Sequence, residues 1–234
     1  MQIQKLIPKH VIQLLARLGI VLFLMTITRI IFYTANSDSF KNTGITDFMA
    51  GIWMDCISIG IWFIPFYALS LLPMPFVKHP YYKWILKALY IFTTVLMLGL
   101  NLLDVEYFKY TAKRSTSDLF TIVTAGNDIN QLLGEFFTDF WWLILLFLLL
   151  ITALIWLYNK TNRITEDSHS FHYGYRFLNL IIFGGLLMIM GRGGLGYRPA
   201  DMLTASQLTQ PENTALVLNT PLSIRKTVCN QSLQ

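Results

Sequence analysis

The sequence predicts an all-α integral membrane protein with five membrane-spanning helices. Three observations carry this. Apolar residues make up 54% of the chain and charged residues only 13%, against roughly 25% charged in an ordinary soluble domain. Five segments approach the roughly 20 mainly apolar residues that a helix needs to cross a bilayer. Tyrosines and tryptophans gather near the ends of these segments (Tyr33, Tyr81, Trp84, Trp141, Trp142, Tyr158, Tyr175), where their amphipathic rings suit the headgroup level.

The first span is expected over 11–33. Lys5, Lys9 and His10 precede it, but the run is too long for the apolar part of a signal peptide and no small-residue cleavage site follows, so it reads as an uncleaved span. The second covers 48–72 and is stopped by Pro73 and Pro75, which cannot continue a helix. The third covers 84–103 and the fourth 140–158. The fifth, 177–190, is short and runs into Gly191. Between the third and fourth spans, Leu119, Ile122, Val123, Ile129, Leu132, Leu133, Phe136 and Phe137 recur at close to helical spacing. That pattern suits an amphipathic helix in the membrane interface, interrupted at Gly126-Asn127. Residues 1–191 thus form the expected membrane domain, and 192–234 an extracytoplasmic linker rich in turn residues.

Loop charges orient the bundle. With the N-terminus in the cytoplasm, the inner segments carry Lys5, Lys9, Lys78, Lys83, Lys160, Arg163 and Arg176, and the outer ones Lys41, Lys109, Lys113 and Arg114. The excess of inner cations places the N-terminus inside, and an odd number of spans then places the C-terminal segment outside. The net charge of +5 is scattered between apolar runs, which does not point to nucleic acid. Cys56 lies within an apolar run and Cys229 near the C-terminus, so no disulfide framework is expected.

Polar residues inside apolar runs are the candidates for function. A carboxylate at Asp55, within the second span, must be paired, protonated or turned to a wet cavity. Arg29, near the same end of the antiparallel first span, is its natural partner. Two readings stand side by side: an ion pair that fixes helix packing, and a polar pocket for a lipid headgroup. Asp104, Glu106, Lys109, Lys113 and Arg114 gather where the third span ends. This is a solvated helix end or a cradle for an anionic phospholipid headgroup. Arg192 and Arg198 flank the exit of the fifth span at the level of lipid phosphates. Arg17 and Lys87 read as snorkelling residues. His169 and His172 have no carboxylate or thiol set around them, so no metal site is expected. The set Arg29, Asp55, Asp104, Glu106, Lys113, Arg114 and Arg192 is the candidate headgroup site; no catalytic or metal-binding residue is expected in this chain.

Several blocks, in order along the chain, carry a resemblance. They are Arg29-Ile-Ile-Phe; Gly51-Ile-Trp-Met-Asp55, similar to a G-x-R-x-D pattern; Asn101-Leu-Leu-Asp104-Val-Glu106-Tyr107-Phe108 followed by Lys113-Arg114-Ser-Thr; and Arg192-Gly193-Gly194, Arg198-Pro199, Asn213 and Leu218-Asn219-Thr220-Pro221. Together they resemble the N-terminal membrane region of lipoteichoic acid synthase-like proteins, particularly the sulfatase-type membrane proteins of Bacteroidetes. The resemblance implies five membrane helices followed by an extracytoplasmic domain of the alkaline phosphatase and sulfatase superfamily. Such a domain uses a threonine or serine nucleophile and a divalent metal, commonly manganese. It moves phosphoglycerol or phosphoethanolamine from a phospholipid, or hydrolyses sulfate or phosphate esters. Trp53 stands where relatives often carry arginine. The catalytic domain itself is expected beyond this chain, which would serve as anchor and presenter of lipid headgroups in the bacterial cytoplasmic membrane. The alternatives from other classes are a small transporter or channel, and an assembly subunit for a separate enzyme.

Overall fold

The structure, a computed structural model, describes residues 9–72, 74, 79–116, 139–163 and 173–231. Among these residues the α-helices are α1 Lys9–Ala35, α2 Ile45–Trp62, α3 Ile64–Leu71, α4 Pro80–Thr111, α5 Trp141–Thr161, α6 Tyr173–Arg192, α7 Met202–Leu208, α8 Thr214–Val217 and α9 Thr220–Gln231. Among the described residues, α1, α2, α4 and α5 are long and apolar enough to cross a membrane, and the apolar helix Phe177–Arg192 within α6 is shorter. The amphipathic helix expected over residues 119–137 lies outside the described residues.

The helices alternate in direction. α1, α4 and α6 rise toward the end where α1 finishes, called the upper end here, and α2–α3 and α5 descend. α1 packs on α2, α4 and α5, and α6 packs on α2 and α3. The second span is not one helix. It breaks at Phe63 because Pro65 enters the first turn of α3, where its missing N–H interrupts the ladder. The axis continues, since the Phe63 amide donates to the Ile59 carbonyl at 3.0 Å and the Tyr67 amide to the Phe63 carbonyl at 2.9 Å. The third span runs on to Thr111, well beyond the expected Leu103, so Asp104 and Glu106 lie on a helix rather than in a loop. Ala112 then takes a left-handed conformation (φ 53°) and turns the chain back over the helix end.

Aromatic rings fill both ends of the bundle. At the upper end Phe32 and Phe108 meet edge-on at 5.1 Å, and Phe40 stacks on Phe108 at 5.5 Å. At the lower end Phe63, Phe66, Tyr90 and Tyr158 pack together, with Tyr90 and Tyr158 at 4.9 Å. Arg17 does not snorkel. It is buried, lies 4.2 Å over the Tyr158 ring, and donates to Thr161 Oγ1 at 3.1 Å and Asn162 Oδ1 at 2.9 Å, tying α1 to the C-terminal end of α5. Lys87 is held by Asn159, at 3.1 Å.

The segment after α6 differs most from expectation. It is not an extended linker. Asp201 caps α7 by accepting from the Leu203 and Thr204 amides at 3.0 and 3.2 Å. The chain then climbs along α2, turns at Pro211–Asn213, and descends again as α8 and the start of α9. Ala200, Ala205, Val217, Leu218 and Leu222 form an apolar cluster with Met54 and Ile57 of α2. That burial, together with the polar contacts below, is why this stretch folds back.

Candidate functional site

The returning chain sits on a buried polar network built by α1, α2 and α4. Arg29 is its centre. Its Nη2 donates to Asp55 Oδ1 at 2.6 Å and to the Gly51 carbonyl at 2.9 Å, and its Nε to Asp55 Oδ2 at 3.3 Å. Its Nη1 faces the carbonyls of Leu216, Val217 (2.9 Å) and Leu218 (3.2 Å). These carbonyls lie where α8 ends and the backbone turns extended at Leu218, so they lack helical partners. Every N–H direction of the guanidinium is therefore engaged. In a bilayer this answers a specific need: irregular backbone is tolerated at membrane depth only when the protein itself satisfies it. Gly51 makes room for the arrangement, because a Cβ there would lie 2.7 Å from the Arg29 guanidinium.

Asn219 closes the network from the other side. Its Nδ2 donates to Asp55 Oδ1 at 2.8 Å and to the Met54 carbonyl at 3.1 Å. Its Oδ1 accepts from Ser58 Oγ at 2.7 Å and from the Leu222 amide at 3.1 Å. The Trp62 indole N–H donates to the Pro221 carbonyl at 3.3 Å. The Asn219–Pro221 turn is thus attached to α2 along its length.

A second ion pair lies alongside. Arg114 Nη1 is 3.3 Å from Asp104 Oδ2, and its Nε donates to the Ala215 carbonyl at 2.8 Å. The guanidinium rests 3.7 Å over the Phe32 ring. Burial pushes its pKa down to about 10 despite Asp104 opposite, which leaves it charged near neutrality. Asp104 also accepts from the Ser115 amide at 3.1 Å and from the hydroxyls of Ser115 and Thr220, and Asn101 Oδ1 accepts from the Thr220 amide at 3.3 Å. Two arginines and two aspartates give a buried cluster without net charge. Between Arg29, Asp55, Asn101 and Arg114 no void as large as a water molecule remains.

A third attachment lies at the upper end. Asp47 accepts from the Gly44 amide at 3.0 Å, which caps the start of α2, and from Thr209 Oγ1 at 2.6 Å. Asn213 exchanges hydrogen bonds with the Lys41 backbone, donating at 2.9 Å and accepting at 3.3 Å. An open polar cleft of about 380 Å³ runs between residues 42–47 and 207–213.

Of the residues singled out from the sequence, the fold brings Arg29, Asp55, Asp104 and Arg114 into one cluster. Glu106 is apart, paired with Lys109 at 2.8 Å. Lys113 is exposed. Arg192 is also exposed and donates to the Gly196 and Tyr197 carbonyls at 3.4 and 3.0 Å. Trp53 is exposed on α2, away from the cluster. Asp47 and Ser58 were not singled out from the sequence, and Asn101, Asn213, Asn219 and Thr220 entered only as parts of the resemblance, not as site residues. One signal was available: the run from Ala215 to Leu222 is apolar apart from Asn219 and Thr220, an odd composition for a solvated linker and an ordinary one for a segment buried around two polar side chains. Among the described residues no three His, Cys, Asp or Glu side chains are grouped to hold a metal ion. The manganese implied by the resemblance therefore has no ligand set among them. Comparison of the chain with protein-family models, with curated proteins and with solved structures finds no match.

Proposed function

We propose that this chain is the membrane-anchoring domain of a lipoteichoic acid synthase-like phosphoglycerol or phosphoethanolamine transferase, or of a related sulfatase, at the outer face of a bacterial cytoplasmic membrane. In this reading α6, continued by the chain after it, makes a fifth crossing, the N-terminus is cytoplasmic and the returning chain lies at the extracytoplasmic side of the bundle. The nucleophile and the divalent metal belong to a catalytic domain carried after that chain or associated with it. One observation supports the reading above the others: the backbone carbonyls of residues 216–218 are held by the Arg29 guanidinium, itself neutralised by Asp55. A flexible tether needs no buried ion pair. A segment that sets a catalytic domain at fixed height over the lipid surface does. Because Arg29, Asp55, Asp104 and Arg114 are consumed by one another and by the returning chain, the geometry favours anchoring over headgroup capture at these residues.

The test is to purify the chain in mild detergent from the cells that make it. The preparation is assayed, with manganese and with a chelator, for diacylglycerol release from phosphatidylglycerol and phosphatidylethanolamine and for aryl sulfate hydrolysis. Metal-dependent activity that travels with the chain supports the proposal. A native preparation in which mass spectrometry finds no metal-dependent transferase or sulfatase domain, either fused to the folded chain or crosslinked to it in the membrane, overturns it.

A further inference from the structure

We propose that the loop at residues 193–198, led by Leu195 and Tyr197, is inserted among the lipids of the upper leaflet. The inference requires only that the bundle spans a bilayer and does not rest on the function proposed above.

Depth is the first argument. α6 ends against α2 at a backbone-to-backbone contact: a Cβ on Gly60 would lie 2.5 Å from the Gly191 amide nitrogen, and one on Gly191 2.8 Å from the Gly60 carbonyl carbon. At a rise of about 1.5 Å per residue, Gly60 is about 22 Å below Ile45 and about 16 Å above Leu71. After Leu71 the sequence turns to Pro73, Pro75 and Lys78, which marks the lower membrane boundary. The hydrocarbon core is about 30 Å thick, so α6 ends near its middle. The loop that follows is pinned at its base, where the Ala200 amide donates to the Arg192 carbonyl at 2.9 Å. Extended fully upward, its arms reach about 12 Å, no farther than the upper headgroup boundary.

Chemistry is the second argument. Leu195 and Tyr197 are 87% and 96% exposed, the pattern of residues facing a nonaqueous neighbour rather than a core. The base of the loop is hydrogen-bonded. Gly193 and Gly194, both at positive φ, donate to the Met190 and Ile189 carbonyls at 2.9 and 3.0 Å. The Arg192 guanidinium covers the Gly196 and Tyr197 carbonyls. Arg198 is exposed beside Tyr197 and can extend to lipid phosphates.

Spin labels test this in lipid nanodiscs of phosphatidylethanolamine and phosphatidylglycerol. Leu195→Cys and Tyr197→Cys are labelled separately in a chain with Cys56 and Cys229 replaced by alanine. Phe92→Cys, exposed mid-way along α4, is the lipid reference, and Asp38→Cys, exposed in the upper turn, is the water reference. Each position serves if the other variant fails to fold. Labels at 195 and 197 are expected to relax with oxygen and to be shielded several-fold from a water-soluble nickel chelate relative to position 38. Shielding no greater than at position 38 overturns the proposal. So does dipolar broadening between labels, which would mean that a second copy of the chain covers the loop.

Discussion

Gly51 and Arg29 occupy one another's space: the guanidinium lies where a side chain at position 51 would begin, 2.7 Å from an ideal Cβ. Gly51→Ala is therefore expected to displace Arg29 from the carbonyls it holds. Overpacking of this kind costs about 1–3 kcal/mol, and here the loss of hydrogen bonds adds to it. Thermal unfolding in detergent and protease cleavage of the returning chain both report the change. Gly19→Ala is the matched control, because nothing lies within 4 Å of its Cβ position, and it should leave stability unchanged or slightly raised.

Removing one member of the Arg29–Asp55 pair leaves the other charged and buried. Arg29→Ala and Asp55→Asn should each destabilise by about 3–5 kcal/mol. The double variant Arg29→Met with Asp55→Leu removes both charges and should recover part of that loss. Recovery should be incomplete, because the carbonyls of residues 216–218 lose their donor. Full recovery in denaturation measurements would mean that Arg29 serves only to neutralise Asp55.

The α2–α6 crossing depends on two missing side chains. Even Gly191→Ala puts a methyl against the Gly60 backbone, 2.8 Å from its carbonyl carbon, and no flexible side chain is there to yield. Gly191→Ala and Gly60→Ala should lower the yield of folded protein and the unfolding temperature. Gly185→Ala, on the same helix with open space at its Cβ position, should do neither.

Asn219 both donates to Asp55 and accepts from Ser58, so charge and shape can be separated there. Asn219→Asp keeps the shape but sets two carboxylates together. Like charges raise a carboxyl pKa in the folded state, and a protonated Asp regains the donor. The variant should therefore gain stability as pH falls from neutral toward about 5, whereas Asn219→Ala should show no such gain. Unfolding midpoints across that range distinguish them.

The four helices long and apolar enough to cross a membrane were legible in the sequence because hydropathy acts locally: each announces itself over its own window. Arg29 and Asp55 were legible for a related reason, since a charge within an apolar run requires a partner and antiparallel neighbours offer few. The break at Phe63 needed the position of Pro65 relative to the helix start, which hydropathy does not weigh. Most of the returning chain was not legible from composition, because the turn residues of 192–213 describe a linker equally well; only the apolar run 215–222 pointed to burial. What folds it back are contacts between residues far apart in sequence, such as Ala215 with Arg114 and Asn219 with Ser58.

The docking of residues 214–220 within the bundle is tested most directly by thiol accessibility at Val217, a fully buried residue. Val217→Cys is made in a chain lacking Cys56 and Cys229, in sealed membranes, and treated with a membrane-impermeant maleimide; Gln207→Cys, exposed on α7, gives the reference rate. If Arg29 and Asp55 hold the chain as described, position 217 labels at least tenfold more slowly than position 207 and is released to a comparable rate by Arg29→Ala. Equal rates at the two positions with Arg29 intact would contradict it.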